Sequence, residues 1–383
     1  MKERNPHKKH SNLSKPNGGR YHFNEWSIIG APCDIIDQLA EDLRAELESK
    51  LKLGYLNASH AKRIKKEKFN NQLLDNSSYR NIKIDQDNEH IPYRQIFNGI
   101  DLLFINGNHF LGSQQIVIIN EKKKESLSRK LDRLTDIKII LLEKSSDDIY
   151  DFVLEKIEQQ SEVKVFRISE VSKISKAILD IHHSQLPPLW GLVLAGGRSQ
   201  RMGEDKGELS YHGEPQREYE AKLLKSYCGR TFISCRQNQD ELIETEYEKL
   251  YDTFSGLGPF GGIVSAFRFN PNTAWLTLAC DLPYLDNNTL KQLVKARNPN
   301  KLATCFYNPE TNFPEPLITI WEPRAYPVLL NYLSLGYSCP RKVLINSDIE
   351  IIDMETPIKM KNANTPDERL SAINYFKAEQ NAK

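Results

Sequence analysis

The chain has 383 residues, of which 52 are Lys or Arg and 51 are Asp or Glu, so its formal net charge at pH 7 is +1. This length predicts two domains, because a domain usually takes about 100 to 200 residues. So small a net charge favours neither nucleic acid nor a membrane as a partner, and an anionic ligand would need a local site. The longest apolar runs, 137–142 and 275–280, are far short of the ~20 residues that cross a bilayer.

The amino terminus and the cysteines predict a cytoplasmic protein. Residues 1–20 are rich in charge and lack an apolar segment, which predicts a disordered basic tail and not a secretory signal. The six cysteines are widely spaced, without a C-x-x-C pair, so neither a disulfide framework nor a structural zinc site is indicated. Cys235, Cys280 and Cys305 lie in apolar runs and are expected to be buried.

The first half of the chain alternates strand and helix patterns. An apolar segment at 26–29 is followed by Gly30 and by an amphipathic pattern through Leu47, and further strand patterns follow up to about residue 166. This order predicts an α/β layer fold over 21–183. A linker is expected at 184–189, where paired prolines prevent a helix from continuing.

The segment after the first predicted strand lacks the chemistry of a phosphate-binding loop. A P-loop that began at Gly30 would need glycine, lysine and then serine or threonine where Ile35, Ile36 and Asp37 stand. This half therefore resembles a degenerate P-loop NTPase, with a topology similar to the accessory GTPase of molybdopterin-guanine dinucleotide biosynthesis. The resemblance implies a structural domain or a docking domain for apo-molybdoenzymes or cofactor-biosynthesis proteins, with residual nucleotide binding as the alternative.

The second half, 190–383, opens with an apolar strand that enters a glycine turn and then a cationic loop. Paired glycines let backbone N–H groups approach a triphosphate without obstruction by side chains. Cations on the following loop can neutralise phosphate charge. The turn residues are Leu194, Ala195, Gly196 and Gly197, and the cations are Arg198, Arg201 and Lys206.

Two later segments of this half also indicate a binding site. The apolar run 275–280 ends at Asp281, and ligands of open parallel sheets bind outside the carboxyl ends of such strands. A carboxylate there suits Mg²⁺, although Asp281 could instead cap the next helix. Residues 258–262 contain three glycines and a proline, which predicts a close approach or unusual backbone dihedrals.

The motif L-A-G-G-x-S-x-R-M-G-x-D-K, which starts at Leu194, closely resembles the molybdenum cofactor guanylyltransferase family within the nucleotide-diphospho-sugar transferase superfamily. The resemblance continues through 258–263, 280–283 and 362–367 and covers nearly the whole second half. It implies a Rossmann-like α/β domain at 190–383, so that the chain would consist of two three-layer α/β domains.

The resemblance also implies roles for individual residues. Asp252 matches a family carboxylate near guanine, and Ser234 stands where the family often has asparagine. Asn364 stands where related transferases supply a second oxygen ligand to the metal, with an Asx turn as its alternative.

The segment 313–317 is predicted to precede a strand and resembles an acceptor-side segment of the family. Arg341 and Lys342 are candidates to hold the acceptor's phosphate.

Together these features imply an Mg²⁺-dependent transfer of GMP from GTP to the phosphate of molybdopterin or the molybdenum cofactor, with release of pyrophosphate. Arg201, Lys206 and Asp281 would be catalytic. GTP would be bound by Leu194, Ala195, Gly196, Gly197, Lys206, Asp252 and Asp281. The metal would be held by Asp281 and Asn364.

Three alternatives stay open: a cytidylyltransferase of the same cofactor, a sugar-phosphate nucleotidyltransferase, and a non-catalytic scaffold that delivers the cofactor. Gly196 favours guanine, because a cytidylyltransferase more often shows Leu-Ala-Ala-Gly in this turn. The presence of Lys206 and Asp281 argues against a scaffold.

Overall fold

The computed structural model describes residues 21–58, 71–75, 80–84, 93–143, 148–158, 160, 162–195, 206–237, 239 and 243–381. The chain divides into two compact units between Ser184 and Gln185. Both units combine parallel strands with helices, which confirms the predicted α/β class. The tail at 1–20 lies outside the described residues. Within the part of the chain that is described, no helix has the length and apolar content needed to cross a bilayer.

The amino-terminal unit contains strands β1 to β8 and helices α1 to α5. In chain order these are β1 Glu25–Ile29, α1 Cys33–Leu47, β2 Leu53–Leu56, β3 Asn71–Asp75, β4 Arg80–Ile84, α2 Tyr93–Ile96, β5 Leu102–Asn106, β6 Gln114–Ile119, α3 Lys124–Ser128, β7 Ile137–Leu142, α4 Asp151–Ile157, β8 Lys164–Arg167 and α5 Val171–Ser184.

Six of these strands form a parallel sheet in the order β2-β5-β1-β6-β7-β8, while β3 and β4 form a separate hairpin. Side chains alternate between the two faces of the sheet, as the strand period of two requires. Along β6, Ile116 and Ile118 pack with α1 and α5, whereas Val117 and Ile119 pack with Leu127 of α3 and with α4. The unit therefore has three layers, helix on sheet on helix.

The carboxyl-terminal unit contains strands β9 to β15 and helices α6 to α11. In chain order these are β9 Leu189–Leu194, α6 Gln216–Lys225, β10 Thr231–Cys235, β11 Glu248–Tyr251, α7 Pro259–Phe269, β12 Ala274–Ala279, α8 Asn287–Lys295, β13 Ala303–Asn308, β14 Phe313–Trp321, α9 Ala325–Ser334, α10 Pro340–Ile345, β15 Glu350–Asp353 and α11 Pro366–Asn381.

These strands form a mixed sheet in the order β11-β10-β9-β12-β14-β13-β15, in which β14 runs antiparallel to its neighbours. Helices α6 and α8 cover one face, and α7, α9 and α10 cover the other. Strands β9 to β12 are parallel, so their carboxyl ends meet at one edge. Because Leu278 of β12 pairs with Ile318 of β14, the beginning of β14 reaches the same edge.

Candidate active site

The carboxyl ends of four parallel strands bring the predicted nucleotide-binding residues to one edge of the sheet. Strand β9 ends at Leu194, next to Ala195, and β11 is followed directly by Asp252. Asp281 comes two residues after the end of β12. Ser234 lies inside β10. Open α/β sheets bind ligands at this edge, so the fold positions these residues as a site.

Ser234 and Asp252 form the best-defined polar contact at this edge. The Ser234 hydroxyl donates a hydrogen bond to Oδ1 of Asp252 at 2.5 Å. Gly262, in the first turn of α7, lies against the pair: a Cβ there would come within 2.9 Å of Ser234 Oγ and 2.7 Å of Leu194 Cδ2. The glycine thus lets the α7 backbone pack directly on the two side chains.

The Asp252 carboxyl has a perturbed acidity. Burial raises its pKa above the usual value, and the hydrogen bond from Ser234 and the charge of Arg236 only partly offset this increase. The ionised form of Asp252 is therefore costly in the absence of a ligand. A ligand that presents hydrogen-bond donors would stabilise it.

The turn into α7 explains the glycines of the segment 258–262. Gly258 precedes the helix with φ 58° and ψ −141°, a conformation that favours glycine. A Cβ on Gly261 would lie 2.3 Å from the carbonyl oxygen of Phe254. Ser265 Oγ accepts a hydrogen bond from the Thr253 N–H at 2.9 Å. The predicted unusual dihedrals and close approach are both confirmed, and the contacts join α7 to the segment that carries Asp252.

A backbone hydrogen bond brings the segment that carries Asn364 next to Asp281. The N–H of Ala363 donates to the backbone carbonyl of Asp281 at 2.9 Å, although the two residues are 82 positions apart (363 − 281). Helix α8 is capped by Asp286, whose carboxylate accepts from the Thr289 N–H at 2.9 Å. The alternative that Asp281 caps this helix is therefore wrong.

A capping box fixes the backbone at Asn364. Oε2 of Glu368 accepts hydrogen bonds from the N–H groups of Asn364 at 2.7 Å and Thr365 at 3.0 Å, and Thr365 Oγ1 accepts from the Glu368 N–H at 3.3 Å. The hydrogen bond from Asn364 is the main reason that the pKa of Glu368 is lowered. Sequence reasoning missed this box, although Thr365-x-x-Glu368 is its usual signature.

Two buried polar side chains of α6 support the chain just after Asp281. The Gln216 amide donates to Glu220 Oε1 at 3.0 Å and to the carbonyl oxygen of Leu282 at 3.2 Å. Both side chains are fully buried. Burial raises the pKa of Glu220 well above its usual range, and the charge of Asp281 raises it further. Burial thus favours the protonated, neutral form of Glu220, and the sequence signal for it is a polar i, i+4 pair on the buried face of a helix.

The predicted acceptor side lies where β13, β14 and α10 meet. Asn308 Nδ2 donates to Glu315 Oε2 at 3.1 Å, and a guanidinium nitrogen of Arg341 lies 3.7 Å from the same oxygen. We call Asn308, Glu315 and Arg341 the acceptor-side cluster. The Lys342 ammonium lies instead 5.1 Å from the centre of the Tyr337 ring. The segment 313–317 forms the start of β14 and does not precede a strand, which corrects the sequence prediction.

Only part of the predicted phosphate-binding loop lies among the described residues. Gly196, Gly197, Arg198 and Arg201 lie outside the described residues. The backbone of Lys206 opens the short 3-10 helix Lys206–Glu208, and its side chain is outside the description. The roles assigned to these residues stay predictions.

Comparison with known proteins defines the class of this unit. Residues 191–348 match the family model described as the MobA-like NTP transferase domain. The carboxyl-terminal unit is therefore a nucleotidyltransferase domain of the MobA-like type.

Several similar proteins are named for molybdenum cofactor synthesis. The chain is 35% identical over 182 residues to the molybdenum cofactor biosynthesis bifunctional protein of Synechocystis sp., an alignment that covers 47% of this chain and 52% of that protein. It is 29% identical over 195 residues to the molybdenum cofactor guanylyltransferase of Pseudomonas fluorescens, which covers 50% of this chain and 96% of that protein. The chain thus spans about half the length of the Synechocystis relative.

Among solved structures, molybdopterin-guanine dinucleotide biosynthesis protein A from Archaeoglobus fulgidus is similar, with a TM-score of 0.43 and 21% sequence identity. The superposition covers 50% of this chain and 99% of that one.

Proposed function

We propose that this protein transfers GMP from GTP to the phosphate of molybdopterin or the molybdenum cofactor and releases pyrophosphate. The observation that carries the proposal is the shared sheet edge, where Leu194, Ser234, Asp252 and Asp281 meet in a MobA-like NTP transferase domain. The names of the relatives, molybdenum cofactor guanylyltransferase among them, support the choice of substrates.

Asp252 is the proposed guanine-reading group. A carboxylate only accepts hydrogen bonds, and the pairing edge of guanine offers two adjacent donors, a ring N–H and an amine. Adenine and cytosine each place a ring acceptor beside their amine, which would face the carboxylate unfavourably. The hydroxyl of Ser234 fixes one carboxylate oxygen, so the orientation of the group is set before the base arrives. This arrangement favours GTP.

Asp281 and Asn364 are the proposed magnesium ligands. A carboxylate and an amide are hard oxygen donors, and Mg²⁺ takes few protein ligands together with substrate phosphates. In the described part of the chain there is no group of three or more His, Cys, Asp and Glu side chains that could hold a metal. When bound, Mg²⁺ would supply neutralising charge for the pyrophosphate leaving group.

The chain's own residues would contribute positioning and charge. The acceptor phosphate is already an anion near neutral pH, so no general base is needed. Arg341, oriented by Glu315, would hold that phosphate in line with the α-phosphorus, and the predicted cations Arg201 and Lys206 would neutralise the leaving group. The amino-terminal unit is proposed as a docking domain for cofactor-biosynthesis proteins or apo-molybdoenzymes.

A competition experiment with the full-length protein tests the proposal. The protein is incubated with Mg²⁺, molybdopterin and equal concentrations of ATP, CTP, GTP and UTP, and the dinucleotide products are identified by mass spectrometry. We expect the guanine dinucleotide. A cytosine dinucleotide would instead establish a cytidylyltransferase, and no product from any nucleotide would favour the delivery scaffold. Products with sugar phosphates but not with molybdopterin would establish a sugar-phosphate nucleotidyltransferase.

A further inference from the structure

The turn between β1 and α1 in the amino-terminal unit presents a cysteine. Gly30 has φ +100°, and a Cβ there would lie 2.3 Å from the carbonyl oxygen of Ile118, so this turn requires glycine. Helix α1 begins only three residues later, at Cys33. Cys33 is half-buried, so its sulfur is held by the fold and still partly accessible.

A second loop brings a histidine to this cysteine from 76 positions further along the chain. The N–H of Gly107 donates to the Ile28 carbonyl at 2.8 Å, and a Cβ on Gly107 would lie 2.4 Å from Ser27 Oγ. The loop after β5 is therefore packed closely on β1. As a result, His109 Nε2 lies 3.3 Å from Cys33 Sγ.

Neighbouring groups hold this arrangement, and two cations lie nearby, whereas Asp34 stands next to Cys33 in the first turn of α1. Asn108 Nδ2 donates to the Ala31 carbonyl at 2.8 Å, which joins the two loops directly. Lys130 Nζ and Arg133 NH1 each lie 3.3 Å from the Asn108 carbonyl oxygen, and Arg133 also donates to Gly107 at 2.9 Å. The Lys130 ammonium interacts electrostatically with Cys33.

We propose that Cys33 and His109 form a thiol site that reacts with small anionic disulfides. A cysteine within hydrogen-bond reach of an imidazole is the usual arrangement of an activated thiol. The site belongs to the amino-terminal unit and is independent of nucleotidyl transfer. The nearby cations favour a disulfide that carries carboxylates.

The reaction is thiol–disulfide exchange. His109 accepts the proton of the Cys33 thiol as the sulfur attacks one sulfur of the disulfide. A new bond forms between Cys33 Sγ and that sulfur, the original S–S bond breaks, and the other half leaves as a thiolate. This thiolate then takes the proton from His109, so atoms, protons and electrons balance without a further oxidant.

The other cysteines provide internal references. Cys235, Cys280 and Cys305 are buried. Burial raises the pKa of Cys228 and Cys305 to about 12, which makes them poor nucleophiles at neutral pH. Cys339 is exposed and is the matched reference for ordinary thiol reactivity.

The test measures mixed-disulfide formation in the full-length reduced protein at pH 7. Glutathione disulfide is the anionic probe and 2-hydroxyethyl disulfide is the neutral one, with rates at Cys33 and Cys339 resolved by peptide mass spectrometry. We expect Cys33 to react with glutathione disulfide about tenfold or more faster than Cys339. His109→Gln should remove most of this advantage without changing the rate at Cys339.

A second variant tests whether a nearby positive charge causes the preference for the anionic disulfide. Lys130→Met should slow the reaction of Cys33 with glutathione disulfide more than its reaction with 2-hydroxyethyl disulfide. The site is refuted if Cys33 reacts no faster than Cys339, or if folded His109→Gln keeps the parent rate. Equal acceleration at Cys33 with both probes would overturn the preference for anionic disulfides.

Discussion

The hydroxyl of Ser234 in β10 donates a 2.5 Å hydrogen bond to Oδ1 of Asp252, which directly follows β11 and lies 18 positions further along the chain. The bond holds a carboxylate whose ionisation burial opposes. It also fixes the direction in which the carboxylate can receive donors from a base. The nucleotide specificity proposed for this protein depends on this pair.

Replacing Ser234 with alanine should weaken GTP binding in a pH-dependent way. The hydrogen bond from Ser234 lowers the pKa of Asp252, so its loss raises that pKa further. Only the ionised carboxylate accepts from both guanine donors, and so the decline in affinity on acidification should begin at a higher pH in Ser234→Ala. We expect an affinity loss of about tenfold to a hundredfold, because a charged hydrogen bond contributes about 1.5 to 3 kcal/mol.

Calorimetric titration of GTP between pH 5 and 8 measures this effect. Parent affinity that stays constant over the whole range, or a decline that begins at the same pH in parent and Ser234→Ala, would contradict the role of Asp252.

A side chain at position 262 should disturb the hydrogen-bonded pair of Ser234 and Asp252. In Gly262→Ala the new Cβ would lie 2.9 Å from Ser234 Oγ and 2.7 Å from Leu194 Cδ2, so the Ser234 and Leu194 side chains must both move. Overpacking of this kind costs about 1 to 3 kcal/mol. Gly229→Ala is the matched control, because its Cβ would meet nothing closer than 3.9 Å. Thermal melting and GTP titration should show losses for Gly262→Ala and parent behaviour for Gly229→Ala, and equal losses in both would refute the account.

Asp281→Asn should abolish turnover while the protein stays folded. The amide keeps the shape of the carboxylate but removes the negative charge proposed to hold Mg²⁺. We expect activity to fall by at least about a hundredfold, the size expected when one charge-stabilising group is lost. Asp286→Asn, at the cap of α8, is the control for a general effect of removing a nearby carboxylate. Pyrophosphate release by Asp281→Asn near the parent rate, with an unchanged melting temperature, would exclude Asp281 as a metal ligand.

Glu220→Gln should change the pH dependence of stability. The folded-state pKa of Glu220 is raised, so the contribution of Glu220 to stability is fully present below the unfolded pKa of about 4.3 and is lost as pH rises toward the folded value. Glutamine stays neutral. We therefore expect the melting temperature of Glu220→Gln relative to the parent to be higher at pH 8 than at pH 4. The same difference at both pH values would show that Glu220 is not a buried neutral acid.

Local patterns in the sequence were enough to predict the strand before Asp281 and the close packing of the glycines at 258–262. The mainly apolar run that ends before Asp281 forms a fully buried strand, and glycines clustered as at 258–262 indicate close packing. The predicted burial of Cys235, Cys280 and Cys305 is confirmed for the same reason. The cap of α8 at Asp286 was not predicted, because its position depends on the length of the turn before the helix.

Contacts between distant residues could not be predicted in this way. Gln216 reaches the carbonyl of Leu282 across 66 positions, and Cys33 reaches His109 across 76. Neither pair leaves a periodic signal, because the contact arises only when crossover connections bring strand ends together. The hydrogen bond between Ser234 and Asp252 is of the same kind, and a single sequence does not reveal which two strands are neighbours.

The rate of pyrophosphate release tests the central claim most directly. Full-length protein with Mg²⁺ is given each of ATP, CTP, GTP and UTP in turn, with and without molybdopterin. The account predicts rapid release only when GTP and molybdopterin are both present. Equal release with molybdopterin omitted, a higher rate with CTP than with GTP, or no release under any condition would contradict it.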